Sequence, residues 1–275
     1  ARLGFERAFW AKRKRIYQRR AKEIFSYHIM RNGKRIFIIL LGIWLLLSTS
    51  AVTLFSFGNQ TTRAATGMVW GLIIFWIVIC GGLMYRFREP IRNAVLKIRF
   101  PRQLKFVLFV TLLALFEEAI TTTMTNLAPL FGVKIGEAYI TASTNFFDVV
   151  FFHSVINFVG PFVFWTLALK RYDFSPFATF LILGISGVFA EVSFGGPQHF
   201  LEFGLWIFVY GLMIFLPAYT LPPATERGAR QPKFYHYILM VFLPIFFVPL
   251  FAWIPKTIDP AHPQPTHFLP LQPLK

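Results

Sequence analysis

Carboxylate and imidazole side chains lie inside apolar stretches of this sequence, where a charge is costly. Glu117 and Glu118 are adjacent in one apolar run, and His153 lies in the next. A carboxylate at the centre of a membrane helix costs about 2.5–3.5 kcal/mol on insertion scales, so such groups usually face a bundle interior and serve a function. Carboxylates and imidazoles are also ligands for zinc and other divalent ions. The sequence therefore predicts Glu117, Glu118 and His153 as metal ligands.

More polar residues accompany these three candidates along the same apolar runs. We predict that they form a polar network with the candidate ligands, built from Thr122, Asn126, Asp148, Asn157 and Glu191. Residues four apart share a helix face, which places His153 beside Asn157 and Glu118 beside Thr122. Such a network can bind a divalent metal, pass protons or ions, or join helices through hydrogen bonds. A less favoured alternative is a tetrapyrrole pigment ligated by His153.

The Glu117-Glu118 pair, followed by His153 and Asn157 spaced as H-x-x-x-N, resembles the CAAX-protease and bacteriocin-processing intramembrane metalloproteases. The resemblance covers residues 117–157. In that family the glutamate pair and histidines bind a metal and activate water, so the resemblance implies metal-dependent hydrolysis at Glu117, Glu118 and His153. The sequence departs from the family pattern, because it has a threonine where E-E-x-x-x-R has arginine and it lacks the separate F-x-x-x-H helix.

The composition identifies the chain as a membrane protein. Hydrophobic residues make up 56% of the 275 residues and charged residues 15%, whereas soluble domains carry about 25% charge. A single cysteine, Cys80, excludes an internal disulfide framework. Ordinary soluble, disordered and collagen-like classes are excluded by the same composition.

Seven apolar runs are long enough to cross a bilayer, which takes roughly 20 helical residues. They are Ile36–Phe57, Met68–Tyr85, Phe106–Phe131, Phe146–Leu169, Phe174–Phe194, Phe200–Leu221 and Phe234–Ile254. Short connections favour antiparallel packing in one bundle. We predict an all-α integral membrane protein: a basic arm over residues 1–35, a single bundle of seven (alternatively six) transmembrane helices over 36–254, and a proline-rich tail over 255–275.

The basic residues predict the orientation of this bundle. The chain has 28 Lys and Arg against 12 Asp and Glu, and 24 of the 28 lie in alternate connections, on one side of a seven-span bundle. Because basic residues beside a span stay in the cytoplasm, we predict a cytoplasmic N-terminus and an external C-terminus. The expected location is the cytoplasmic (inner) membrane of a bacterium or archaeon.

The two terminal segments predict the partners. The arm interleaves aromatic with basic residues, which favours an amphipathic helix on anionic lipid headgroups over a nucleic-acid site. The tail combines six prolines with Phe268, Leu269, Leu271 and Leu274, and an extended apolar segment of this kind favours a strap across another membrane subunit. The favoured function is a non-catalytic structural or accessory subunit of a membrane complex. The alternatives are the metal-dependent intramembrane hydrolase and a small ion- or proton-coupled transporter.

Overall fold

The computed structural model describes residues 32–263, and in that range it is helical and contains no β-strand. The predicted amphipathic helix of the basic arm and most of the proline-rich tail lie outside these residues. The helices are α1 (Asn32–Gly58), α2 (Gln60–Arg86), α3 (Arg88–Lys97), α4 (Arg102–Asn126), α5 (Phe146–His153), α6 (Val155–Arg171), α7 (Pro176–Gly195), α8 (Phe203–Tyr219), α9 (Ala224–Arg227), α10 (Phe234–Phe242) and α11 (Pro249–Ile258).

Several of these helices have the length and apolar character of membrane spans. Three qualify alone, namely α1, α2 and α7, and a fourth is obtained if the bent pair α5 and α6 counts as one passage. The prediction of an all-helical chain with membrane-length apolar segments is confirmed to this extent. The count of seven and the insertion into a bilayer stay predictions.

Prolines set two helix ends that differ from the predicted spans. The third predicted span continues to Phe131, but α4 ends at Asn126 and is followed by a 3₁₀ turn over Ala128–Phe131 that contains Pro129. The last predicted span is divided into α10, a 3₁₀ turn over Leu243–Phe247 that contains Pro244, and α11. Proline has no N–H to donate and its ring clashes with the preceding turn, so it interrupts a continuous α-helix.

The chain divides into two compact units, Ala1–Trp44 and Leu45–Lys275. In the first, the described residues belong to α1 and expose large apolar side chains such as Ile36 and Leu40. The second unit contains all of α2–α11. It also contains every predicted site residue.

Glycines bring α7 and α8 into close contact in the second unit. A Cβ atom added at Gly184 would lie 2.7 Å from the carbonyl oxygen of Ile207, and one added at Gly211 would lie 2.7 Å from that of Phe180. Small residues permit such backbone approach, which is how membrane helices gain packing energy without a hydrophobic driving force. The fully buried Trp76 joins α2 to this pair, because its indole Nε1 donates to the carbonyl oxygen of Val209 at 3.1 Å.

The start of α4, the end of α6 and the segment after α8 meet at one end of the second unit. The guanidinium of Arg102 donates to the carbonyl oxygen of Glu226 at 3.0 Å. The backbone N–H of Arg230 donates to the carbonyl oxygen of Arg171 at 2.9 Å. We call this the basic end.

The opposite end, which we call the site end, joins the C-terminus of α4 to the connection before α5. The Asn126 amide donates to the carbonyl oxygen of Thr144 at 2.8 Å. His262, beyond α11, lies beside Asp148 of α5 at this end. Successive helical segments therefore run in opposite directions between the two ends, in the order α4, α5–α6, α7, α8 and α10–α11.

Candidate metal centre

A break between α5 and α6 separates two residues that the sequence analysis placed on one helix face. The dihedral angles of Ser154 (φ −118°, ψ −76°) depart from ideal helical values, and the two helices are bent by 53°. The side-chain amide of Asn157 donates to the backbone carbonyl oxygen of His153 at 2.6 Å.

Three side chains converge just before this break, and we call Asp148, His153 and His262 the metal cluster. The Nε2 atom of His262 lies 2.8 Å from Oδ1 of Asp148 and 3.2 Å from Nε2 of His153. Asp148 Oδ1 and His153 Nε2 are 3.8 Å apart. The side chains of Asp148, His153 and His262 have relative exposures of 9%, 2% and 10%, so little of the cluster contacts solvent.

Metal–ligand bonds of about 2.0–2.2 Å in a tetrahedral site correspond to ligand–ligand edges of about 3.3–3.6 Å. The observed separations of 2.8, 3.2 and 3.8 Å lie within about 0.5 Å of that range, so small side-chain movements would bring the three groups to ligand spacing. Two imidazoles with one carboxylate form a donor set found in catalytic zinc sites, in which the fourth position is open to water or substrate. The metal cluster can therefore hold a divalent ion such as zinc.

Neighbouring groups orient the His262 ring. Its Nδ1 atom lies 3.3 Å from Oδ2 of Asp259, and the Phe152 ring stacks on it with a centroid separation of 4.2 Å. A carboxylate at the second ring nitrogen fixes the imidazole tautomer and increases its basicity as a metal ligand. The Nε2 atom of His262 faces Asp148 and His153.

A cavity of about 460 Å³ adjoins the metal cluster at Asp148. Its lining combines polar side chains with aromatic rings, and the other lining residues are Ser143, Thr144, Asn145, Phe147, Phe151 and Phe152. The exposed rings of Phe147 and Phe151 are parallel, with centroids 6.5 Å apart. The cavity therefore offers both polar and apolar contacts beside Asp148.

Glu118 contacts the break itself. Its carboxylate accepts hydrogen bonds from the hydroxyls of Ser154, of Thr121 at 3.2 Å and of Thr141 at 3.4 Å. The structure therefore places Glu118 against the residue that follows His153. Within residues 32–263, the group of side chains that could hold a metal consists of Asp148, His153 and His262. Neither Glu117 nor Glu118 belongs to it.

Glu117 and Glu191 belong to a second buried group. Glu117 lies close enough to Glu118 and Glu191 for their charges to interact, and Glu191 accepts a hydrogen bond from the Tyr210 hydroxyl. We call Glu117, Glu118 and Glu191 the carboxylate cluster. The hydrogen bond from Tyr210 to Glu191 joins α8 to α7.

Thr122 and Asn126 are connected differently from the prediction. The Asn126 amide donates to the backbone carbonyl oxygens of Thr122 at 3.0 Å and of Thr144. The Thr122 hydroxyl is buried and has no hydrogen-bond partner among the described residues. Asn126 thereby fastens the end of α4 to the segment before α5.

His262 and Asp259 were not predicted as site residues, and Asp148 was predicted only as a member of the polar network. His262 is 109 residues from His153 and lies in the tail, to which no site had been assigned. A usable signal was the D-x-x-H spacing of Asp259 and His262, in a segment that the predicted topology places on the same side as Asp148.

Comparisons of the chain with protein-family models, with curated proteins and with solved structures found no match. The resemblance to the CAAX-type proteases rests on residues 117–157.

Proposed function

We propose that this chain is a multi-pass integral membrane protein that binds a divalent metal at one end of its helical bundle and uses it for hydrolysis. The observation that carries the proposal is the convergence of Asp148, His153 and His262, with ligand atoms within 4.8 Å of one another. Three protein ligands and an adjoining cavity are typical of catalytic sites, whereas structural zinc sites are closed by four ligands.

Each residue of the site has a definite role in this proposal. The two imidazoles and Asp148 would hold a divalent ion, and Asp259 would orient His262. Such an ion would supply Lewis-acid activation of water for hydrolysis. Glu118 positions the break through Ser154. The aromatic rims of the cavity at Phe147 and Phe151 suit an amphiphilic substrate whose acyl or phosphoryl bond is cleaved.

The alternating passages support insertion as a seven-span bundle. The basic end contains Arg102, Lys170, Arg171, Arg227 and Arg230, so positive-inside orientation places it in the cytoplasm. The metal cluster and the C-terminus then lie on the external side of the cytoplasmic (inner) membrane.

Metal analysis of the purified full-length chain tests the proposal. We expect about one zinc per chain in the wild type and at most about a tenth of that in His153→Ala and His262→Ala, because a three-ligand site loses its geometry with one ligand. The matched control is His199→Ala. His199 also contacts a carboxylate, Glu202 at 2.6 Å, outside the cluster, and its replacement should leave the metal content unchanged.

Hydrolysis is tested separately with fluorogenic acyl, peptide and phosphodiester substrates in detergent micelles. Activity should disappear with a chelator, return with zinc, and be absent from His262→Ala while present in His199→Ala. Metal binding without chelator-sensitive turnover of any substrate would refute the hydrolase. A wild type that holds no metal would refute the centre itself.

A second candidate is the structural or accessory subunit of a membrane complex. It is favoured by exposed apolar side chains on α1, including Leu47 at 63%, Leu54 at 68% and Phe55 at 89% relative exposure. Lipid or partner helices would cover these side chains, and the carboxylate cluster would then join helices only. Native electrophoresis of mildly solubilised membranes separates the two cases, because a subunit migrates with a larger assembly and an independent enzyme migrates alone.

A further inference from the structure

A second cavity lies at the basic end, and its lining contains no residue of the metal cluster. Its volume is about 140 Å³, and its lining includes Arg102, Phe106, Leu169, Lys170 and Arg227. These residues come from the start of α4, the end of α6 and the end of α9. The cavity therefore lies where three segments meet.

Of the three cationic side chains in the lining, Arg227 is held in place by hydrogen bonds and its charge is balanced by a carboxylate. The Arg227 side chain is 8% exposed, and its Nη2 donates to Oδ1 of Asp173 at 2.5 Å. Its Nε donates to the carbonyl oxygen of Pro222 at 2.8 Å, and Nη1 donates to that of Leu169. Arg227 thus forms a rigid wall of the cavity and adds little net charge.

The other two cations are not balanced by a carboxylate. Arg102 donates to a main-chain oxygen, that of Glu226, and makes no ion pair within residues 32–263. Lys170 is exposed and has neither a hydrogen bond nor an ion pair to any described residue. Two positive charges therefore face one small cavity, a combination that attracts a group with negative charge on several oxygens.

Part of the cavity wall is apolar. Phe106 and Leu169 are 3% and 2% exposed and belong to the lining, together with Leu221. A soluble anion gains nothing from such a wall, whereas an amphiphile can place its headgroup on the cations and its apolar part on the rings and methyl groups. Basic pockets between membrane helices on the cytoplasmic side are recognised sites for lipid headgroups.

We propose that this cavity binds the phosphate of an anionic glycerophospholipid. Arg102 and Lys170 bind the phosphate oxygens, Arg227 holds the walls together, and Phe106 and Leu169 contact the glycerol and the first acyl carbons. The site lies on the cytoplasmic side in the predicted orientation, opposite the metal cluster, and it does not depend on the proposed hydrolysis.

Native mass spectrometry of the full-length chain, released from nanodiscs that contain equal phosphatidylglycerol and phosphatidylcholine, tests this site. The test variant is Arg102→Gln with Lys170→Gln, which removes both unbalanced charges and keeps polar side chains. The control is Lys97→Gln with Arg99→Gln, which removes two exposed charges from the same predicted side, outside the cavity lining. Circular dichroism and elution volume establish that both variants fold.

We expect the wild type to retain phosphatidylglycerol, the test variant to lose about tenfold or more of that retention, and the control to lose less than about twofold. Equal losses in both variants would overturn the proposal, because diffuse surface charge would then explain the binding. In a further experiment, millimolar inorganic phosphate is added to the wild-type protein with its bound lipid. Displacement of the lipid by phosphate at that concentration would show a site for a soluble anion and would also overturn it.

Discussion

The orientation of the His262 ring depends most directly on the carboxylate of Asp259. It lies 3.3 Å from Nδ1 of His262 and is itself 47% exposed, so it can be replaced without leaving a buried cavity. Asp259 acts on a bound metal through the His262 imidazole, because it is not itself one of the three candidate ligands. A substitution at Asp259 should therefore change metal affinity without changing the stability of the fold.

Asp259→Asn should weaken zinc binding about 10- to 100-fold, the usual cost of losing an outer carboxylate. An amide can accept from Nδ1–H but adds no negative charge to the imidazole. Competition with a chelator of known affinity measures the change. Asp173→Asn, which alters a carboxylate paired with Arg227 at the basic end, is the control, and an equal loss of zinc affinity in both variants would contradict the role of Asp259.

Glu118 tests whether a glutamate of the predicted pair acts as a ligand or as a hydrogen-bond acceptor. Glu118→Gln keeps an acceptor for Ser154 and Thr141, so we expect zinc content and unfolding temperature close to the wild type. Glu118→Leu leaves these partly buried hydroxyls without that acceptor, at up to about 1–3 kcal/mol each, and the unfolding temperature should fall. Loss of zinc in Glu118→Gln at an unchanged unfolding temperature would instead identify Glu118 as a ligand.

Among the helices, the apolar runs predicted position and type well, but not the interruptions. Run length and composition indicate helix, and α1, α2 and α7 follow from them. The break at Ser154 could not be predicted, because serine and the residues around it are compatible with a continuous helix. Contacts from elsewhere accompany the break, including the hydrogen bond from Ser154 to Glu118 of α4.

Glycine spacing makes a sharp prediction for the contact of α7 with α8. Gly184→Ala should destabilise the protein by about 1–3 kcal/mol, because the new methyl group would lie 2.7 Å from the carbonyl oxygen and 2.8 Å from the Cα atom of Ile207. Backbone atoms cannot move aside as a side chain can. Unfolding midpoints in a fixed detergent measure the change.

Gly82→Ala is the matched control for this contact. Gly82 lies inside α2, and a Cβ atom there has no neighbour within 4 Å. Its replacement should leave the midpoint unchanged or raise it, since alanine favours helix over glycine by up to about 1 kcal/mol. If both variants shifted the midpoint alike, the close approach of α7 and α8 would not be the cause.

At the scale of the whole second unit, the return of the tail to α5 brings the metal cluster together. From His153, the chain runs through α6, α7, α8 and α10–α11, and four passages bring it back to the end at which it started. The predicted topology placed residues 132–145 and the tail on one side, which is compatible with this return. It could not identify His262 as the neighbour of Asp148, because lateral neighbours in a bundle depend on packing and not on the hydropathy of each run.

Cysteine accessibility tests this arrangement in intact cells, in a Cys80→Ser background that removes the native thiol. We expect an impermeant maleimide to label Lys134→Cys and Lys256→Cys from outside, and Arg99→Cys only after permeabilisation, because positive-inside orientation keeps the basic end in the cytoplasm. All three side chains are exposed in the structure, so access depends on the side of the membrane.

Lys256→Cys distinguishes seven spans from six. If α10 and α11 did not cross the membrane, Lys256→Cys would behave like Arg99→Cys, and the residues that follow it, including His262, would lie on the cytoplasmic side, away from Asp148. The metal cluster could not then form, so zinc should be absent from the wild type as well. External labelling of Lys256→Cys together with zinc that depends on His262 would support both the seven-span path and the metal centre, since His262 contacts Asp148 Oδ1 at 2.8 Å only when the tail ends on the same side as α5.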